Sequence, residues 1–287
     1  MKLAAFTHRG IDGIGVLNQG TMTGRLRSDP NFPGDLDALI RDESVDWRQA
    51  SFLNNAPSYS LDEVRLQPPF KRSSKILCVG LNYRDHTAET SYVQPDYPTL
   101  FARFTTSLIG HGAPLIRPRA SRALDFEGEL VAVIGRGGRH ISRADALAHV
   151  AGYSIFNDAS IRDFQHRTPQ WTVGKNFDGT GAFGPVFVTA DELPAGARGL
   201  QLETRLNGEA VQRSNTDKLI FDVATLVAII SEAMTLQPGD LIVTGTPAGV
   251  GHSRDPKLYM KPGDVVEVEI EGIGTLRNFV ADEVEGR

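Results

Sequence analysis

"LDFEGELVAVIG", residues 124–135, sets Asp125, Glu127 and Glu129 just ahead of the apolar run from Val131 to Ile134. Such a run, short and bounded by Gly135, reads as a buried strand. In an extended chain side chains alternate between faces, so Glu127 and Glu129 project the same way, two positions apart. Two carboxylates on one face of a buried strand repel each other and lose hydration. Either they share protons or a cation sits between them, and the stretch alone leaves both open.

Similar strand-like runs follow Lys75: "KILCVG" (75–80), "GPVFVT" (184–189), "LQLETRLNG" (200–208), "DLIVTGTP" (240–247) and "DVVEVEIEGIGTLRNFV" (264–280). In "VVEVEIE", Val266, Val268 and Ile270 face one way and Glu267, Glu269 and Glu271 the other, the alternation of a strand with one wet face. Two Pro-Gly-Asp turns, at 238–240 and 262–264, each lead into a strand. Helical patterns are few. Ser142 is placed to cap a helix over "RADALAHVAG" (143–152). Asp222 is placed to cap "VATLVAIISEAM" (223–234), whose Val223, Leu226, Val227, Ile230 and Met234 form one apolar stripe. Strands without alternating long helices argue for a sheet-rich α+β protein with antiparallel or mixed strands, and against a doubly wound sheet.

Residues 1–70 read as a small N-terminal domain. "KLAAFTH" and "GIGVLNQG" suggest two strands, "FPGDLDALIRD" (32–42) a short helix, and "SYSLDEVRLQPPF" (58–70) an extended link. Pro68 and Pro69 mark the boundary with a domain over 71–287. Net charge is −5, from 30 basic and 35 acidic residues with no basic block, which excludes nucleic acid as the expected partner. The longest apolar helical run is too short to span a bilayer, and the N-terminal residues lack a signal-peptide apolar core. Cys78 is the only cysteine, which rules out an intramolecular disulfide and fits a buried strand thiol in a reducing cytoplasm. A membrane partner is not expected.

Several residues could carry chemistry. In "AGYSIFNDASIRDFQHR" (151–167), Asp158 follows an apolar run; it either caps the next element or joins Glu127 and Glu129 as a third carboxylate. Three oxygen ligands suit a hard cation such as Mg²⁺ or Mn²⁺, and zinc lacks its usual ligands here. In "LCVGLNYRDHTAET" (77–90), His86 and Glu89 are three apart, so one helical turn lets them meet, and a carboxylate-held imidazole is a general base. The alternative is a solvated helix start. Lys175 lies in the Gly-rich "WTVGKNFDGTGAFGP" (171–185), where a solvated loop lysine is the simpler reading. "VTGTPAGVG" (243–251) is only loosely like a phosphate loop; a strand-end turn presenting Thr246 fits better.

Taken in order, "GLNYRDHTAE" (80–89), "DFEGELVAVIG" (125–135), "YSIFNDASIRDFQ" (153–165), "GKNFDGTGAFGP" (174–185) and "VTGTPAGVG" (243–251) resemble the fumarylacetoacetate hydrolase family. The resemblance implies a mixed β-roll, a homodimer, and a cation as the answer to the opening choice. By it, Glu127, Glu129 and Asp158 hold a divalent metal, Mg²⁺ or Mn²⁺. His86 and Glu89 match the catalytic dyad of the smaller members, on a short helix that can close as a lid over 84–93. Lys175 matches a lysine that polarises the substrate oxygen. Arg162, Gln165 and Thr246 match substrate-side positions. In "FAR" (101–103), Arg103 stands where many members carry a substrate-contacting lysine. The implied activity is hydrolysis of a C–C bond in an acylpyruvate-like or diketo acid through an enolate that the metal stabilises. Decarboxylation or isomerisation of a 2-oxo acid in aromatic catabolism is the alternative within the family. A metal-stabilised binding protein without turnover is the alternative outside it.

Overall fold

The computed structural model describes residues 1–18, 20–42, 50–89 and 96–284. The chain begins with β1 (Lys2–His8), β2 (Ile11–Asn18), β3 (Thr21–Leu26), α1 (Leu36–Leu39), β4 (Ser58–Ser60) and β5 (Val64–Gln67). It continues with β6 (Ile76–Gly80), α2 (Arg84–Glu89), β7 (Thr99–Ala102), β8 (Leu108–Ile109), β9 (Leu115–Arg117), β10 (Leu124–Asp125) and β11 (Gly128–Ile134). The middle of the chain supplies β12 (Val150–Asp158), β13 (Ser160–Ile161), α3 (Arg162–Gln165), α4 (Thr172–Lys175) and β14 (Gly181–Thr189). The last elements are β15 (Gln201–Leu206), β16 (Glu209–Asn215), α5 (Val223–Ala233), β17 (Leu241–Val243), β18 (Val265–Ile270) and β19 (Gly274–Asp282).

Among the described residues these strands form a 12-stranded sheet, a 5-stranded sheet and a 2-stranded ladder of β10 with β13. Most pairs are antiparallel, but β17 runs parallel to β6, β8 to β14 and β9 to β19, so the architecture is the expected sheet-rich mixed one. The central strands β11 and β12 are buried along their whole length. Their side chains divide by alternation: Leu130, Ala132 and Ile134 enter one core cluster, Val131 and Val133 another on the opposite face. Both faces are covered, which is why "LVAVI" has no polar alternation to show. The N-terminal strands join this sheet edgewise, β1 pairing with β14 at Lys2↔Val188 and Leu3↔Phe187, and Phe6 and Met22 share the cluster that holds Leu130.

Local expectations fared unevenly. Asp222 caps α5 by accepting from Thr225 N at 2.8 Å, and Val223, Leu226, Val227 and Ile230 are its buried face. Asp35 caps α1 in the same way, from Ala38 N at 3.0 Å. Both Pro-Gly-Asp turns form, with Asp240 and Asp264 accepting from the backbone N–H three residues earlier, at 2.8 and 2.9 Å. The helix expected over 143–152 is a correction: only a 3-10 turn, Ala146–His149, forms before β12 begins at Val150. Ladder pairing of Val150 with Ile134 and Gly152 with Thr189 outweighs a helix that would hold Gly152 in its last turn. The "extended link" is extended, but as β5 it is hydrogen-bonded to β1.

The topology gathers three chain segments at one end of the sheet. β6 and β17 run parallel, Val243 beside Cys78, and β11 starts at that same end because it pairs antiparallel with β17. Asn82, fully buried just beyond β6, straps the segments together. Its amide donates to Phe221 O at 3.0 Å and Thr244 O at 2.7 Å, and its oxygen accepts from Phe221 N at 2.8 Å. Removing that side chain strands buried backbone groups. We predict that Asn82→Ala lowers the unfolding free energy by about 1–3 kcal/mol in urea denaturation, and that unchanged stability would mean water replaces the strap.

Candidate active site

The register of β11 with β12 sets Gly128 opposite Asn157 and Glu129 opposite Phe156, and Asp158 N donates to Glu127 O at 2.8 Å. Glu127, Glu129 and Asp158 therefore converge, each buried, with one carboxylate oxygen apiece lying within 4.8 Å of the other two. Asn157 Oδ1 accepts from Glu127 N at 3.0 Å, and Gly245 donates its backbone N–H to Glu129 Oε2 at 2.5 Å. Gly245 has φ 103°, a conformation open to glycine at little cost, and this is what turns its N–H toward the carboxylate.

Buried charge here is counted simply. Asp125, Glu127, Glu129 and Asp158 face Arg103, Arg162 and Lys175. Lys175 Nζ bridges Glu127 and Asp158 at 2.7 Å each. Arg162 pairs with Asp125 at 2.8 Å and Glu127 at 2.7 Å, and Arg103 pairs with Asp158. Four carboxylates against three cations leave one negative charge. It falls on Glu129, which has no cation within ion-pair distance among the described residues. Burial, then Asp158 and Glu127, push the Glu129 carboxyl well above the usual carboxylate range. Burial works the same way on Glu127, but Lys175 and then Arg162 outweigh it and hold that group at about 2. Lys175 is the mirror case: burial favours its neutral form, while Asp158 and Glu127 raise it above its ordinary value. Burial and the neighbouring carboxylates thus favour the neutral, protonated form of Glu129 unless a cation balances the charge. An all-oxygen, buried, anionic set of this kind fits Mg²⁺ or Mn²⁺, and metal binding would displace that proton.

Above the carboxylates opens a cavity of about 460 Å³ lined by Glu127, Glu129, His86, Glu89, Lys175 and Thr246, among others. His86 and Glu89 meet across one turn of α2, Nδ1 to Oε1 at 2.8 Å, as their spacing predicts. Glu89 is itself held, its Oε2 accepting from Gly249 N at 2.9 Å. Gly80, at the end of β6, admits the Trp171 ring; a Cβ there would lie 2.2 Å from it. Trp171 packs edge-on against Phe101 at 5.6 Å, and Lys175 Nζ lies 5.1 Å over the Phe101 ring. These rings set apolar surface beside the ammonium.

A family profile described as fumarylacetoacetate (FAA) hydrolase C-terminal matches residues 75–281. The chain belongs to the fumarylacetoacetate hydrolase family. It is 37% identical to the human mitochondrial oxaloacetate tautomerase FAHD2A over 280 residues, 95% of this chain and 87% of that one. A solved fumarylacetoacetate hydrolase from Exiguobacterium antarcticum superposes with a TM-score of 0.85 at 39% identity, over 99% of this chain and 100% of that one. Maleylpyruvate hydrolase from Sphingobium superposes with a TM-score of 0.79 at 28% identity over the same shares. No helix among the described residues is long and apolar enough to cross a membrane.

In this family member the residues singled out from sequence fall into two layers. His86, Glu89, Glu127, Glu129, Arg162, Gln165, Lys175 and Thr246 all line the one cavity. Asp158 lies beneath them, fully buried. Arg103 does not line the cavity; it backs Asp158 and donates to Thr180 Oγ1 at 2.8 Å. Of the lid expected over 84–93, residues 84–89 form α2 and 90–93 lie outside the described residues. Sequence reading missed Asp125 as the Arg162 partner, and Gln212, which links Gly128 N at 3.0 Å to Thr246 Oγ1 at 2.9 Å. Asp125 was visible in the same alternating stretch; Gln212 carried no signal. It also missed His166, His252 and Lys257 on the cavity wall. We predict that the purified protein binds Mg²⁺ in calorimetry, and that Glu129→Gln weakens this by at least roughly 10–100-fold, the loss typical of an outer-shell partner alone. Equal affinity in the variant would remove Glu129 from the ligand set.

Proposed function

We propose that this enzyme interconverts the enol and keto forms of a small 2-oxo acid, an oxaloacetate-like one, using Glu127, Glu129 and Asp158 to hold Mg²⁺ or Mn²⁺. The observation that carries this is the His86–Glu89 pair, 2.8 Å apart, facing the carboxylate cluster across one cavity. The similarity to oxaloacetate tautomerases along nearly the whole chain supports it.

Enol-to-keto conversion moves one proton from the C2 hydroxyl to C3 and changes nothing else in composition. With Nδ1–H donated to Glu89, the His86 imidazole carries its lone pair on Nε2 and can accept that proton, then return it to carbon. The Glu89 carboxylate steadies the imidazolium in between. Lys175 and Arg162, both cationic and buried, face the oxygen on which negative charge grows. Trp171 and Phe101 place apolar surface on that side. A bound Mg²⁺ would act as a Lewis acid on the 2-oxo group.

C–C hydrolysis of an acylpyruvate-like or diketo acid is the second reading. The same dyad can take a proton from water, and the likeness to maleylpyruvate hydrolase favours it; decarboxylation would use the same oxygen-stabilising groups. A binding protein without turnover leaves the dyad without a purpose. The buried Cys78 thiol supports a reducing compartment such as the cytoplasm.

The decay of enol absorbance of oxaloacetate, followed with and without Mg²⁺ alongside carbon–carbon cleavage of acylpyruvates, separates the readings. We expect catalysed tautomerisation, and a loss of roughly 10²–10⁴-fold in His86→Ala, the usual range for a general base. Cleavage of acylpyruvates without any tautomerase activity would overturn the first reading in favour of the second.

A further inference from the structure

The cavity has a second charged region that the carboxylate cluster and dyad do not use. His166, His252 and Lys257 line its wall together with Arg162. The His166 and His252 rings stack at 5.2 Å with planes 28° apart, and His252 Nδ1 is 2.7 Å from the Tyr259 hydroxyl. With Tyr259 donating, the imidazole hydrogen sits on Nε2 and His252 is a donor while neutral. The loop bearing it is anchored by Asp125, whose carboxylate accepts from Gly251 N and His252 N at 2.8 Å each. Lys257 Nζ donates to His252 O at 2.6 Å, which folds the ammonium back over this loop.

Two features make this region receptive to an anion. Of the cations lining the cavity, Arg162 and Lys175 are paired with carboxylates, whereas Lys257 has no carboxylate within ion-pair distance among the described residues. The charge around the imidazoles is positive: burial first, then Arg162, hold both histidines below their usual pKa, and Lys257 adds to this at each.

We propose that His166, His252 and Lys257 form an anion subsite for the distal carboxylate of a 2-oxo dicarboxylic acid. This rests on the 2-oxo-acid reading of the deeper half of the cavity. The 2-oxo carboxylate end lies toward Glu127 and Glu129, and the second carboxylate reaches the histidine–lysine wall. An acyl chain or aromatic tail would leave Lys257 without an anionic partner, so the wall selects by charge.

The test is the binding ratio of 2-oxoglutarate to pyruvate, measured calorimetrically on the full chain with Mg²⁺ present. The wild type is expected to favour 2-oxoglutarate by about tenfold or more, one ion-paired contact's worth. Lys257→Met should collapse that ratio and Lys257→Glu should invert it. Lys257 is exposed, so both variants are expected to fold, and thermal melting checks this. A preference kept in both variants, or absent from the wild type, overturns the subsite. A preference that follows Lys257 in an enzyme inactive on oxaloacetate overturns the tautomerase reading and leaves the subsite standing. Turnover of oxaloacetate without the preference does the reverse.

Discussion

One uncompensated negative charge, buried at Glu129, is the constraint around which this site is organised. Arg103, Arg162 and Lys175 balance Asp125, Glu127 and Asp158, and a buried carboxylate beyond that balance must be neutralised by a proton or a cation. The sheet makes relaxation difficult, because Glu129 is set in β11 with strands on both sides and Gly245 donating to it. Under the metal-binding proposal, the cluster would exchange a proton for a cation without rearranging its backbone.

Such an arrangement costs stability, and the fold offsets the cost with packing. β11 and β12 are covered on both faces, so the carboxylates sit at the rim of two apolar clusters that fix their backbone. The positioning groups are themselves tied: Asn157 to Glu127 N, Gln212 to Gly128 N and Thr246, Arg103 to Asp158 and Thr180. Preorganisation of this kind lets the charges act on a reacting oxygen without first moving.

Division of labour within the cavity follows from how each side chain is held. The dyad sits on α2, a helix of 6 residues pinned through Glu89 to Gly249, apart from the rigid sheet. Proton transfer can thus be placed on a separate element from charge stabilisation. The wall of His166 and His252 belongs to a third group, the segments after α3 and after residue 251, where the proposed anion subsite lies.

Local pattern was enough to read many of the strands, the cap of α5, and the Pro-Gly-Asp turns, because these depend on alternation and on hydrogen bonds within a few residues. It was also enough to suggest that Glu127 and Glu129 share a face and that His86 can reach Glu89, since both are spacings along one element. It failed at 143–152, where ladder bonds to β11 and β14 outcompeted a plausible helix. Only the tertiary structure decided which charge is left unpaired. Ion pairs such as Arg162 with Asp125, 37 residues apart, and Lys175 with Glu127, 48 apart, depend on how distant segments pack. The same holds for Arg103, whose place behind Asp158 follows from pairing across 55 residues. Sequence by itself determined which groups could do chemistry; the packing of the sheet determined which of them face the cavity, because exposure and charge balance are properties of neighbours that the chain order does not contain.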